Sequence, residues 1–216
     1  MKKIFYLILV VLTISCTNEN ETYDNTNSTT KTNENIFLRN TSTNDLSKDP
    51  TFILYAESED NVLEKVKDRN SMLLLNNNVT EENLSSLVYL AGFNDTNEFT
   101  TYYSNQYSLI LELKEKYGFD KLSQEELNTI LLNSFNSYYG VNESAKLGPC
   151  ERKLRNDLAI NATEAFAAHL ACGSLDLTVI GGILCHGAVV TWHYYQNDNA
   201  ILEYENCIKW LKKLEI

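Results

Sequence analysis

From residue 50 onward the apolar positions recur at helical spacing, and the places where the pattern breaks carry helix caps. Asp49-Pro50 pairs a capping side chain with a proline at the first helical position. Phe52, Tyr55, Ala56, Leu63 and Val66 then fall on one face, interrupted by Glu59. Thr80, followed by Glu81 and Glu82, predicts the start of a second helix. There Leu84, Leu87, Val88 and Ala91 are spaced i, i+3, i+4, i+7, and Gly92 ends it. Asp95-x-x-Glu98 has the form of a capping box. It opens a long stripe of Phe99, Tyr102, Tyr103, Gln106, Leu109, Ile110, Leu113 and Tyr117, closed by Gly118. Ser123-x-x-Glu126 is a second capping box, leading into Leu127, Ile130, Leu131, Phe135 and Tyr138, with Gly140 as the stop. No stretch alternates for long enough to predict a half-buried strand, and only Phe52–Tyr55 could pass for one. The predicted fold is all-α, a bundle of about six helices.

The last third of the chain adds a constraint. Four cysteines lie there, Cys150, Cys172, Cys185 and Cys207, with 21, 12 and 21 residues between successive members. A step of 22 residues is about six helical turns at 3.6 residues each, so each pair of like-spaced cysteines lies near one face of its own helix. If a helix over Pro149–Cys172 folds back antiparallel onto one over Cys185–Leu214, Cys150 meets Cys207 and Cys172 meets Cys185. The other two connectivities would join partners about 30 Å apart. A zinc site would need four ligands around one metal, and two cysteines at each end of a long hairpin cannot supply that. The connection holds Leu175, Leu177, Val179, Ile180, Ile183 and Leu184, so the second arm is expected to begin earlier, near Asp176 or Thr178. Small residues on the first arm (Ala159, Ala162, Ala165, Ala168) permit close approach of the two helices.

The N-terminal third reads differently. Met1-Lys2-Lys3, an apolar run from Ile4 to Ile14 and then Ser15-Cys16 describe a secretory signal. With a cysteine directly after the small residue, the segment resembles a bacterial lipoprotein precursor of the Bacteroidota surface type. The resemblance covers residues 1–16, together with the acidic stretch Thr17-Asn18-Glu19-Asn20-Glu21. Thr13 stands where that pattern prefers Leu, with Leu12 one step early. It implies removal of residues 1–15 and acylation of Cys16, hence a lipid anchor in the outer membrane, facing either the surface or the periplasm. The alternative is an ordinary signal peptide that leaves Cys16 in a secreted protein. The run is shorter than the roughly 20 residues that a spanning helix needs. Residues 17–49 are mostly Asn, Thr, Ser and Glu, with Ile36, Phe37 and Leu38 isolated among them. Such a composition predicts a tether over 16–49 reaching about 30 Å. It leaves 50–216 as the helical domain, with 149–214 as its stapled hairpin.

The chain carries a net charge of −11, and loss of residues 1–15, which contain two lysines and no acid, makes it −13. That balance disfavours a nucleic-acid partner, which requires clustered Lys and Arg. No phosphate loop, nucleophile elbow or other cofactor motif is present in the sequence, so no cofactor is predicted. The three histidines are His169, His186 and His193. In the cysteine register His169 approaches His186 and Glu164 approaches His193, an arrangement from which a metal site or an acid–base pair is conceivable. The simpler expectation is that these are boundary residues near the hairpin turn. Thirteen tyrosines could line a groove for a peptide or glycan, or sit at helix boundaries with their hydroxyls in water. Three function classes follow: a binding module with a protein, peptide or glycan partner, an envelope enzyme using the histidines, and an inhibitor with an acidic face.

Overall fold

The computed structural model describes residues 46–75, 78–141, 147–173 and 179–214, all within the contact unit 35–216. Cys16 and the predicted signal segment and tether up to residue 45 lie outside these residues. Seven α-helices follow one another, with no strand among the described residues. They are α1 (Pro50–Glu64), α2 (Arg69–Leu74), α3 (Leu84–Leu90), α4 (Thr96–Tyr117), α5 (Gln124–Tyr138), α6 (Pro149–Cys172) and α7 (Val179–Leu214). A 3-10 turn, Phe119–Lys121, joins α4 to α5.

Most ends are set by the residues the sequence offers. Asp49 caps α1 by accepting from the Thr51 N–H at 2.8 Å. Ser123 and Glu126 complete the reciprocal capping box of α5. The box at α4 is only half formed. Asp95 accepts from the Glu98 N–H, but the Glu98 carboxylate reaches back to the N–H of Asn94 instead, at 2.8 Å. Thr80 does not cap α3. Asn83 occupies the cap position, and its side chain accepts from the Thr80 N–H and donates to the Asn78 carbonyl. Gly118 closes α4 in the left-handed conformation, φ 65°. Gly92 has φ 93°, and a Cβ there would stand 2.7 Å from Cβ of Lys65, so only glycine fits where the chain after α3 passes the end of α1.

The helix missed in the sequence is α2. Its six residues bury one side chain, Met72, and are held by Arg69, which grips both carboxylate oxygens of Asp198 on α7. The domain also begins earlier than composition indicates. Leu46 is fully buried, and the nearly buried Asp49 accepts from Lys116 Nζ at 2.6 Å and Tyr117 OH at 2.8 Å. Burial alone would raise the Asp49 carboxyl. The bonds from Lys116, Tyr117 and Thr51 outweigh it and lower its pKa to about 2.

Helices α1 and α4 run antiparallel, joined by Asp49 to Lys116 at one end and by Tyr102 OH to the Ser58 carbonyl at 2.7 Å further along. The C-terminal pair forms the expected hairpin. Cys150 is bonded to Cys207 and Cys172 to Cys185, each pair with Cα atoms 5.7 Å apart. The hairpin then closes two separate apolar cores. Phe166 of α6 completes the first, with Phe52 and Tyr55 of α1, Ile110 and Leu113 of α4, and Leu131 and Phe135 of α5. Ile183 and Val190 of α7 complete the second, with Val62, Met72, Leu87, Phe99 and Tyr103. Between the arms pack Ala165, Cys172 and Val189.

Candidate functional site

The core-facing stripe of α6 is Ala162, Ala165, Phe166, His169 and Cys172, and that of α7 includes Ile183, His186, Val190, His193 and Asn197. Both follow helical spacing, so three histidines and an asparagine occupy positions where the pattern calls for apolar residues. On α1 the inward stripe is Phe52, Tyr55, Ala56, Glu59 and Val62. Glu59 therefore lies between residues of the first core (Tyr55, Ala56) and the second (Val62). The polar groups meet along the line that divides the two cores.

There His169 Nδ1 and His186 Nδ1 are 2.8 Å apart, one donating and the other accepting. The rings stack with centroids 5.0 Å apart, and Tyr103 of α4 stacks on both, at 5.3 Å each. On the far side of His169, Nε2 faces Glu59 Oε2 at 3.6 Å. Exposure is 1% at His169, 4% at His186, 1% at His193 and 4% at Glu59, so these are interior residues and not boundary residues. About three turns beyond His186 on α7, Asn197 accepts from Asn161 Nδ2 at 2.9 Å and points its own Nδ2 at His193 Nε2, 3.4 Å away.

The sequence reading brought His169 to His186 correctly. It assigned the wrong carboxylate: Glu164 is exposed, because Thr163, Ala165 and Phe166 take the buried positions of that turn. The carboxylate present is Glu59, read in the sequence as a mere interruption. The signal was its position, seven residues after Phe52 and four after Tyr55 on a core stripe, where an acid demands a buried partner. No protein-family model, curated protein or solved structure matches this chain.

Burial first, and then the neighbouring His169, push the His186 pKa down to about 3. Burial does the same to His193, to about 4, against the pull of Glu59. Both are neutral at pH 7. Burial and then Glu59 hold the hydroxyls of Tyr55 and Tyr103 well above their usual range, so both stay protonated. The cluster is also poorly satisfied. Tyr55 OH, Glu59 Oε1, Tyr103 OH, Gln106 Oε1, His169 Nε2 and His193 Nδ1 are buried without a hydrogen-bond partner among the described residues. Each such group costs about 1–3 kcal/mol.

Among the described residues no three His, Cys, Asp or Glu side chains converge as a set that would hold a metal ion. An open surface depression of about 410 Å³ is lined by Val141, Pro149, Arg152, Lys153 and Asn156. It lies about 20 Å from the histidines, counted along α6 at 1.5 Å per residue. The tyrosines tie helices together: Tyr117 bonds to Asp49, Tyr102 to Ser58, and both Tyr138 and Tyr139 to Asp60. The adjacent pair Tyr138-Tyr139 thus serves one carboxylate with both hydroxyls.

Proposed function

We propose that the chain is a lipid-anchored protein of the bacterial cell envelope whose helical domain acts outside the cytosol as a binding module for a protein, peptide or glycan partner. The observation that carries this reading is the nested pair of disulfides, which closes both ends of the hairpin. Such bonds persist in oxidising compartments and are rare in the cytosol. They accord with export directed by Lys2-Lys3, the apolar run and Ser15-Cys16. No helix among the described residues is long and apolar enough to cross a membrane. In this reading, acyl chains on Cys16 hold the protein to the outer membrane.

Binding is favoured over catalysis because Glu59, His169 and His193 are buried, with Tyr103 stacked on His169, which leaves a substrate no approach. The hairpin instead offers apolar area at its surface: Ile201, Leu202 and Trp210 are 48%, 44% and 59% exposed. The acid excess is consistent with a neutral or basic partner and disfavours nucleic acid.

Expressed in a bacterium with a lipoprotein pathway, the protein is expected in the membrane fraction, with a mature N-terminus at Cys16 and a mass increase matching acyl chains. Cys16→Ser should move it to the soluble fraction. A Cys16→Ser protein that stays with the membrane would refute the anchor.

A further inference from the structure

The two disulfides close the same hairpin in unlike surroundings. The inner bond belongs to the interior. Cys172 is buried, and Cys185 packs with it against Ala165 and Val189. Phe166 on α6 and Ile183 and Val190 on α7 are buried nearby and fasten this end of the hairpin to the two main cores. The outer bond lies at the other end. Cys150 is buried there, but Cys207 is half-buried on a stretch, Ile201 to Lys213, in which no side chain is buried. Among the described residues, the polar tie of that stretch to α6 is the exposed ion pair of Glu203 with Lys153, which Lys153 shares with Asp157.

We propose that the Cys150–Cys207 bond is a redox clasp: closed in the resting protein, it is opened selectively by a dithiol reductant, which frees the last turns of α7 from α6 while Cys172–Cys185 and the rest of the domain stay closed.

Access decides which sulfur is attacked. A thiolate of the reductant attacks Cys207 Sγ, the less buried of the two. The disulfide breaks as the new S–S bond forms, and its electron pair leaves on Cys150 Sγ. The second thiol of the reductant then displaces Cys207 from the mixed disulfide. The reductant ends as a disulfide, and its two electrons and two protons end on the two cysteines.

The leaving group separates the two bonds. Cys150 is the second residue of α6, so its sulfur lies at the positive end of a 24-residue helix, where a thiolate is stabilised. The better-stabilised thiolate leaves faster. Cys172 is the last residue of the same helix, at the end where the dipole disfavours a negative sulfur. Cys185 is the seventh residue of α7, past the first turn in which the dipole acts.

Equilibrium favours the same order. With the inner bond reduced, the packing around Cys172 and Cys185 keeps their thiols side by side, and the bond re-forms readily. With the outer bond reduced, no buried side chain of the Ile201–Lys213 stretch holds Cys207 beside Cys150, the turns fray, and the thiols part. A bond whose thiols lose their effective concentration on reduction is the easier one to reduce.

The consequence is a change of surface. Tyr204, Ile208 and Leu211 share the face of α7 that carries Cys207, so they lie toward α6 and are half-buried while the clasp is closed. Opening it uncovers them beside Trp210, which is exposed already. The clasp thus sets how much apolar area this end of the hairpin presents.

The test is a time course of dithiothreitol reduction of the native full-length chain in detergent at a fixed, mildly alkaline pH. Alkylation quenches it, peptide mapping reads the thiols, and amide exchange follows the partly reduced protein. Cys150 and Cys207 should become alkylated together, about tenfold faster than Cys172 and Cys185. At that stage exchange should accelerate after Ala200 and stay slow in α1, α4 and the first half of α7. With glutathione, a monothiol, the mixed disulfide should be found on Cys207, with Cys150 free. Equal rates for the two bonds, an inner bond that opens first, faster exchange throughout α1 and α4, or glutathione carried by Cys150 would each overturn the clasp.

Discussion

A chain with both Cys150 and Cys207 replaced by alanine is expected to lose up to about 4 kcal/mol of stability, on the order of 10 °C in Tm. The bond closes a loop with a sequence separation of 57, against 13 for Cys172–Cys185, whose removal should cost about 3 kcal/mol on the same chain-entropy reasoning. The figure is an upper bound for a reason visible in the fold. From Ile201 to Lys213 no side chain of α7 is buried. What fastens this stretch to α6 is Cys207 and the ion pair between Lys153 and Glu203 at 2.8 Å. Without the outer bond these turns fray, and the folded state regains some of the entropy that the unfolded state gains. The double replacement should therefore lower Tm and also accelerate amide exchange selectively after Ala200. Thermal melts and exchange under oxidising conditions measure both. A Tm within about 1 °C of the wild type would show that the bond does not restrain the unfolded chain.

Phe166→Ala is expected to cost about 4 kcal/mol, the range for removing a fully buried phenylalanine. Phe166 is where the hairpin closes the first core. Its ring meets those of Tyr55 at 4.9 Å, Phe119 at 6.2 Å and Phe135 at 6.4 Å, all edge-on. Those partners come from α1, the 3-10 turn and α5, so the cavity left behind cannot be filled by movement of a single helix. Ile160, on the same helix and 36% exposed, provides the comparison, and its replacement by Ala should cost under about 1 kcal/mol. Urea unfolding with the disulfides intact measures the two. Equal losses would mean that α6 does not present Phe166 to the first core.

The helices were legible where a cap and an amphipathic stripe agreed, as at Asp49-Pro50, Ser123 with Glu126, and Gly118. The hairpin was legible because cysteine spacing fixes a register that hydrophobic pattern alone leaves free. That register also predicted the His169–His186 approach, since both lie within a turn of the inner disulfide. Helix α2 was not legible. At six residues it has too few turns for a periodic signal, and its partner Asp198 is 129 residues away. Glu59 was misread for a related reason. Its place on the core stripe of α1 was visible, but the group it faces lies on α6, and helical periodicity carries no information about which helices meet. The same holds for Leu46, an isolated apolar residue whose packing into the first core no periodic pattern signals. The pairing of Asn161 with Asn197 was equally invisible, because each alone reads as a polar residue on a helix.

The measurement that bears most directly on the disulfide-closed hairpin, and on the proposal that the protein is exported and acylated, is peptide mapping without reduction. Protein would be taken from the membrane fraction of cells whose free thiols were alkylated before lysis. Three findings are expected: a peptide linking Cys150 to Cys207, one linking Cys172 to Cys185, and an N-terminal peptide with acyl chains on Cys16. Alkylated Cys150, Cys172, Cys185 or Cys207, or a bond from Cys150 to Cys172, would contradict both the hairpin and the oxidising compartment assigned to it.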